Sequence, residues 1–169
     1  MPFDDQQELF YWVDENDHVL GSMTRALSHD GTKKIHRCVY VVISDDQGNV
    51  LLQHRSQHKD QYPGYWTVSA SGHVTYGQEY EEAIKREAKE ELGVEINHMI
   101  EVDKVLIETP QEKEISMIFK TKMNDMNIDY DEIEVQEVKW VEPREIKKFF
   151  KEGILTPAAI KVLTILGYL

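Results

Sequence analysis

The sequence predicts an α/β (α+β) fold in which a central mixed sheet is sandwiched by helices and preceded by an N-terminal β-hairpin. Three observations carry this. Strand-like runs lie on both sides of one uninterrupted helix-forming stretch of about four turns that ends at Leu92-Gly93 and is rich in Ala, Glu, Lys and Arg. Ile35–Ser44, IHRCVYVVIS, is dense in β-branched residues and reads as the central strand. Two further helical segments close the chain, the order expected when helices cover a mixed sheet.

Taken in order, Glu8–Thr24 reads as a strand, a polar turn at Asp14–Asp17 and a second strand, with residues 1–30 forming an N-terminal hairpin extension. Arg25–Gly31 is a short connection. After the central strand, Asp45–Asn49 turns the chain into a strand at Val50–Arg55. Ser56–Pro63 is a polar loop, and Pro63–Thr67 leads through a short strand into a loop at Gly72. The main helix follows, with Gly93 as the left-handed residue past its end. Ile100–Glu108 and Glu112–Met123 form a hairpin around Thr109–Gln111. Ile115, Met117 and Phe119 share one face of its second strand, and Glu112 and Glu114 are expected to continue that side. An acidic turn region occupies 124–132, the last strand Glu134–Val141, a helix with proline in its first turn Pro143–Lys151, and an apolar core helix Ala158–Tyr168. No repeat, low-complexity tract or linker divides residues 1–169, so one domain is expected.

The balance of 41% hydrophobic and 30% charged residues argues against wholesale disorder. The 19 Lys+Arg against 31 Asp+Glu give a formal net charge of -12, a field that repels nucleic acid and anionic membrane and excludes both as expected partners. The same field repels a diphosphate, so a phosphate ligand needs a metal bridge and local cations. Cys38 is the single cysteine, no signal-like apolar stretch opens the chain, and no apolar run approaches the ~20 residues of a membrane span. A cytoplasmic protein is expected, with a homodimer as a candidate assembly.

Around 100° per residue, Tyr80, Ala83, Ile84 and Ala88 form the apolar face of the main helix, and Glu82, Lys85 and Lys89 lie opposite. Glu87 and Glu91 project on the inward side, with Glu90 beside them. Three close carboxylates at an inward edge repel one another and lose hydration, and Mg²⁺ is the counter-charge that prefers carboxylates and water. Pairing of these acids with lysines on an ordinary charged helix is the alternative.

The run Gly72-x5-Gln78-x7-Arg86-Glu87-Ala88-Lys89-Glu90-Glu91-Leu92-Gly93-Val94 resembles the Nudix box, G-x5-E-x7-R-E-U-x-E-E-x-G-U with U aliphatic. Every fixed position agrees except Gln78, where the family has glutamate. The resemblance implies an α/β/α sandwich, a loop–helix–loop over 72–94, and Mg²⁺ or Mn²⁺ held by Glu87, Glu90 and Glu91 against a diphosphate. It also implies that Arg86 pairs with the residue at 78, more weakly here because Gln78 is uncharged; the adjacent Glu79 is a candidate substitute.

The wider run HRCVYVVISDDQGNVLLQHRSQHKDQYPGYWTVSASGHV is similar to the isopentenyl-diphosphate isomerase branch of this superfamily, sharing Pro63-Gly64-x-Trp66-Thr67 and Gly72-His73. That resemblance implies a second metal site of His29, His36, His73, Glu112 and Glu114, a donor set that suits Mn²⁺ or Zn²⁺. The isomerase thiol position, however, holds Ser71, whereas the isomerases' eroded box is intact here. The expected activity is therefore hydrolysis of a diphosphate linking a nucleoside to another moiety, or of a similar organic pyrophosphate. Arg55 and Lys59 are the candidate phosphate-binding residues, with Arg37 a weaker one. An isomerase and a non-catalytic diphosphate-binding module are the alternatives.

Overall fold

The structure, a computed structural model, describes residues 4–124 and 127–169. Of the acidic turn region expected at 124–132, residues 125 and 126 lie outside the described residues. Among those described, a mixed nine-stranded sheet carries helices on both faces.

The elements are β1 (Leu9–Val13), β2 (Val19–Thr24), α1 (Arg25–Ser28), β3 (Ile35–Ser44), β4 (Val50–Arg55), β5 (Trp66–Thr67), β6 (Ala70–His73), α2 (Tyr80–Leu92), β7 (Ile100–Glu108), β8 (Lys113–Lys122), β9 (Val135–Val141), α3 (Pro143–Lys151) and α4 (Pro157–Ile165). β3 is the hub. β8 runs parallel to it from His36↔Glu114 to Ser44↔Lys122, and β6 pairs antiparallel with its middle. Alternation splits the β3 side chains between two cores. Val39, Val41 and Ile43 pack with Ala83, Ile84, Ala88 and Leu92 of α2, whereas Cys38, Tyr40 and Val42 face the side covered by Ile146 of α3 and by Ala159, Val162 and Leu163 of α4. Ile84 and Leu92 are fully buried, worth about 1.5–3 kcal/mol each.

The local reasons for α2 are those of its sequence. Glu82 accepts from the Glu79 N–H at 2.8 Å, Glu81 and Glu82 complement the helix dipole, and Gly93 ends the helix at φ 66. Glu79, the proposed stand-in for the missing box glutamate, is thus the N-cap residue, and Gln78 itself bonds Arg86.

Four expectations are corrected. Gly72 lies within strand β6 and not in a loop, because β6 is fixed by its register to β3, with Val39↔Gly72 and Cys38↔His73. Glu112 and Glu114 do not continue the side of Ile115, Met117 and Phe119. Even- and odd-numbered residues of a strand face opposite ways, so Glu114 joins Ser116 and Ile118 on the α3/α4 side. The Arg25–Gly31 connection contains the short helix α1, capped by the Thr24 hydroxyl on Leu27 N–H. The final helix stops at Ile165, short of Tyr168.

Candidate active site

A cleft of about 430 Å³ opens along β6, and two groups of acidic and imidazole side chains line it. β6 separates them by alternation. Gly72 faces α2, where a Cβ would lie 2.1 Å from the Glu87 Cδ, so only glycine leaves room for that carboxyl. Ser71 and His73 point to the other side.

On the α2 side Arg86 is the hub. It donates to Glu87 Oε1 at 2.9 Å and Glu90 Oε2 at 3.1 Å through Nη1, and to Gln78 Oε1 and the His73 carbonyl through its other nitrogens. Burial alone would weaken the guanidinium's hold on its proton, but the charges of Glu87 and Glu90 reverse that and push its pKa up. Glu91 is buried and accepts from the Ser71 N–H at 3.0 Å. Burial, then the charge of Glu91, push the Glu87 carboxyl up to about 8 against the pull of Arg86. Burial likewise pushes Glu91 up to about 7, although Lys59 and the Ser71 amide pull it down. The charge of Glu91 bears on Glu87, with Arg86 as the counter-charge at Glu87 and Lys59 at Glu91. Glu90 stands at the exposed rim.

Across β6, His29, His36, His73 and Glu112 converge. Their rings stand 5.1–5.5 Å apart, and Glu112 Oε2 lies 2.7, 3.1 and 3.9 Å from the Nε2 atoms of His29, His36 and His73. None of these four atoms has a hydrogen-bond partner outside the group, although all are buried. Phe10 stacks on His73 at 4.3 Å and 4°, fixing the ring's plane. Burial would raise the Glu112 pKa, but the three imidazoles hold it well below the usual carboxylate range. Burial pushes His73 well below the ordinary imidazole value, keeping its lone pair available. Unpartnered imidazole nitrogens and a carboxylate oxygen aimed at one point fit a divalent cation. Glu114 sits deeper. Tyr40 Oη donates to its Oε1 at 2.6 Å and Ser116 Oγ at 2.8 Å, while its Oε2 faces His36 Nε2 at 4.0 Å.

The candidate phosphate cations have partners within the chain. Arg55 donates to the Gln61 carbonyl at 2.8 and 3.1 Å, closing the 56–63 loop, and lines the cleft. Lys59 Nζ bridges Glu134 at 2.6 Å and Asp4 at 3.2 Å at the cleft wall. Arg37 is structural: it bonds Asp17 at 2.7 Å and lies over the Tyr11 ring, and it is absent from the cleft lining. Sequence reasoning missed Arg25, a largely buried cation beside Asp4 and Glu8 whose side chain lines the cleft. It also missed Tyr40, whose place on the His36–Cys38–Tyr40 face was readable from alternation.

The NUDIX domain family matches residues 34–160. The chain is 31% identical over 137 residues to an uncharacterized Nudix hydrolase of Pseudomonas aeruginosa, covering 80% of this chain and 79% of that one. It is 35% identical over 99 residues to an isopentenyl-diphosphate Delta-isomerase of Mycolicibacterium vanbaalenii, a match over 59% of this chain that spans only 55% of the isomerase. In fold it is similar to a crystal structure of a Deinococcus radiodurans protein, with a TM-score of 0.80 at 24% identity over 94% of this chain and 99% of that one. With a match that runs from the start of β3 into α4, the chain belongs to the NUDIX family.

Proposed function

We propose that the protein is a metal-dependent pyrophosphohydrolase that cleaves a diphosphate linkage in a nucleoside diphosphate joined to another moiety, or in a similar organic pyrophosphate. The observation that carries this is the pair of buried Glu91 and half-buried Glu87 with Glu90 at its rim, a set of carboxylates whose negative charge calls for a cation at the cleft. Mg²⁺ or Mn²⁺ bound there supplies neutralisation of the diphosphate oxygens and activation of the attacking water.

The chain's own residues do the rest. Glu87, Glu90 and Glu91 supply the hard oxygen ligands, and Arg86 locks Glu87 and Glu90 into position. Arg55, Lys59 and Arg25 add positive charge to the cleft lining, offsetting the -12 net charge for an anionic substrate. A carboxylate of the box, or Glu112 or Glu114 across β6, accepts a proton from water as the new P–O bond forms and the bridging P–O bond breaks. Side chains with pKa values near 7 suit that transfer at neutral pH. His29, His36, His73, Glu112 and Glu114 form a second metal site beside the first.

Isomerisation of isopentenyl diphosphate is the second reading, favoured by the convergence of those five side chains. Against it, Ser71 replaces the thiol, and a serine hydroxyl is a much poorer proton-transfer group. Phosphorus and proton NMR of reactions with isopentenyl diphosphate and with nucleoside diphosphate conjugates separate the two. New monophosphate signals support hydrolysis; a rearranged alkene with its diphosphate intact overturns it.

A further inference from the structure

The histidine centre has one more neighbour that neither family pattern uses. Cys38 lies two residues along β3 from His36, on the same face of the sheet, directly across from His73 on β6 and from Ser116 on β8. Its Sγ, a nitrogen of His36 and an oxygen of Glu114 all lie within 4.8 Å of one another, a set that shares His36 with the histidine centre and does not include His29, His73 or Glu112. His36 is fully buried, and neither ring nitrogen has a hydrogen-bond partner, although Glu112 Oε2 stands 3.1 Å from its Nε2. Glu114 is divided: Tyr40 and Ser116 take Oε1, which leaves Oε2 turned toward His36. Cys38 lines the cleft but is 3% exposed, and burial together with the charges of Glu114 and Glu112 pushes its thiol well above the ordinary range, so a bound cation is what would hold it as a thiolate.

We propose that Cys38 is a thiolate ligand at the His36–Glu114 edge of the histidine centre. The centre is then a nitrogen, oxygen and sulfur site that selects a borderline-soft ion such as Zn²⁺ or Co²⁺, while the all-oxygen acids of α2 take Mg²⁺. The cleft thus sorts two divalent ions by ligand softness. Binding exchanges the thiol proton for a metal–sulfur bond, and the proton leaves to solvent. This rests on the reading of His29, His36, His73 and Glu112 as a metal site.

The test is the electronic spectrum of the whole protein with one equivalent of Co²⁺ in excess Mg²⁺. Because Cys38 is the only cysteine in the chain, a thiolate-to-cobalt charge-transfer band in the near ultraviolet can arise only there. The expected result is that band together with visible ligand-field bands, loss of the ultraviolet band alone in Cys38→Ser and Cys38→Ala, and a Zn²⁺ affinity lowered roughly tenfold or more while Mn²⁺ affinity changes less. Ligand-field bands without charge transfer in the wild-type protein overturn the role of Cys38 and leave the histidine centre standing. A spectrum of free aqueous Co²⁺, unchanged by His36→Gln, overturns both. The wild-type spectrum decides the matter even if the buried variants fail to fold.

Discussion

Replacing Gly72 with alanine tests how the strand positions the acids of the helix. Gly72 has no positive φ, so an alanine there meets no backbone strain, and stiffening the unfolded chain would favour the variant by about 0.4–1 kcal/mol. The new Cβ, however, falls 2.1 Å from Glu87 Cδ and 2.2 Å from its Oε1, where ordinary contacts begin at 3.4 Å. The carboxyl must retreat by more than 1 Å, and overpacking of this kind costs about 1–3 kcal/mol. The net expectation is a loss of about 1–2 kcal/mol in thermal stability. A displaced ligand of that size also costs on the order of 100-fold in turnover. Thermal melts, Mg²⁺ titration calorimetry and steady-state kinetics read these effects separately. In a Glu87→Ala background the clash partner is gone, so Gly72→Ala should cost no stability there. Retention of Mg²⁺ affinity and turnover within twofold or threefold in the single variant would show that Glu87 is not held against β6 for metal binding.

Further outcomes follow from the same geometry. Glu87 and Glu91 titrate near 8 and 7 in the metal-free fold, above the carboxylate value of an unfolded chain, so the folded state holds extra protons between about pH 5 and 8. Stability of the metal-free protein is therefore full at the acid end and falls as pH rises through 7 and 8. Mg²⁺ affinity rises over the same window, and both trends should flatten in a Glu87→Gln, Glu91→Gln double variant followed by thermal melts with and without Mg²⁺. Gln78→Glu adds an ion pair to the Nε and Nη2 edge of Arg86, not to the Nη1 that holds Glu87 and Glu90. It should raise stability by about 0.2–1 kcal/mol and leave Mg²⁺ affinity nearly unchanged by calorimetry. Asp4→Asn removes a carboxylate that occupies Lys59 and Arg25, so KM for an anionic substrate should fall severalfold while kcat holds.

How far the sequence revealed the fold depended on how local each signal was. α2 and its C-terminal end were legible because its helix formers, Gly93 and the inward placement of Glu87 and Glu91 are properties of one continuous stretch, whereas the Glu79–Glu82 cap at its start was not read. β3 and β4 were legible for the same reason, as dense apolar runs bounded by turn residues. β6 was not: Ala-Ser-Gly-His has no strand propensity of its own, and only pairing with β3 makes it a strand. The five second-site residues came from resemblance, and their shared face depended on getting the alternation of β8 right, which placed Glu114 opposite to the expected side. Arg25 and Phe10 acquire roles only when tertiary packing brings them to the histidines or the cleft, so no local pattern marks them, and alternation marks the face of Tyr40 but not its bond to Glu114. Among the described residues no helix is long and apolar enough to cross a membrane.

The central claim is that the acids of α2 hold a cation for diphosphate hydrolysis. Its most direct test is turnover of nucleoside di- and triphosphates, nucleotide sugars, dinucleotides and isopentenyl diphosphate with Mg²⁺ or Mn²⁺, comparing wild-type protein with Glu91→Gln. Release of phosphate or monophosphate that requires the metal and disappears in the variant is the predicted result. Turnover that survives in Glu91→Gln, or binding of these ligands without turnover at any metal concentration, would contradict it.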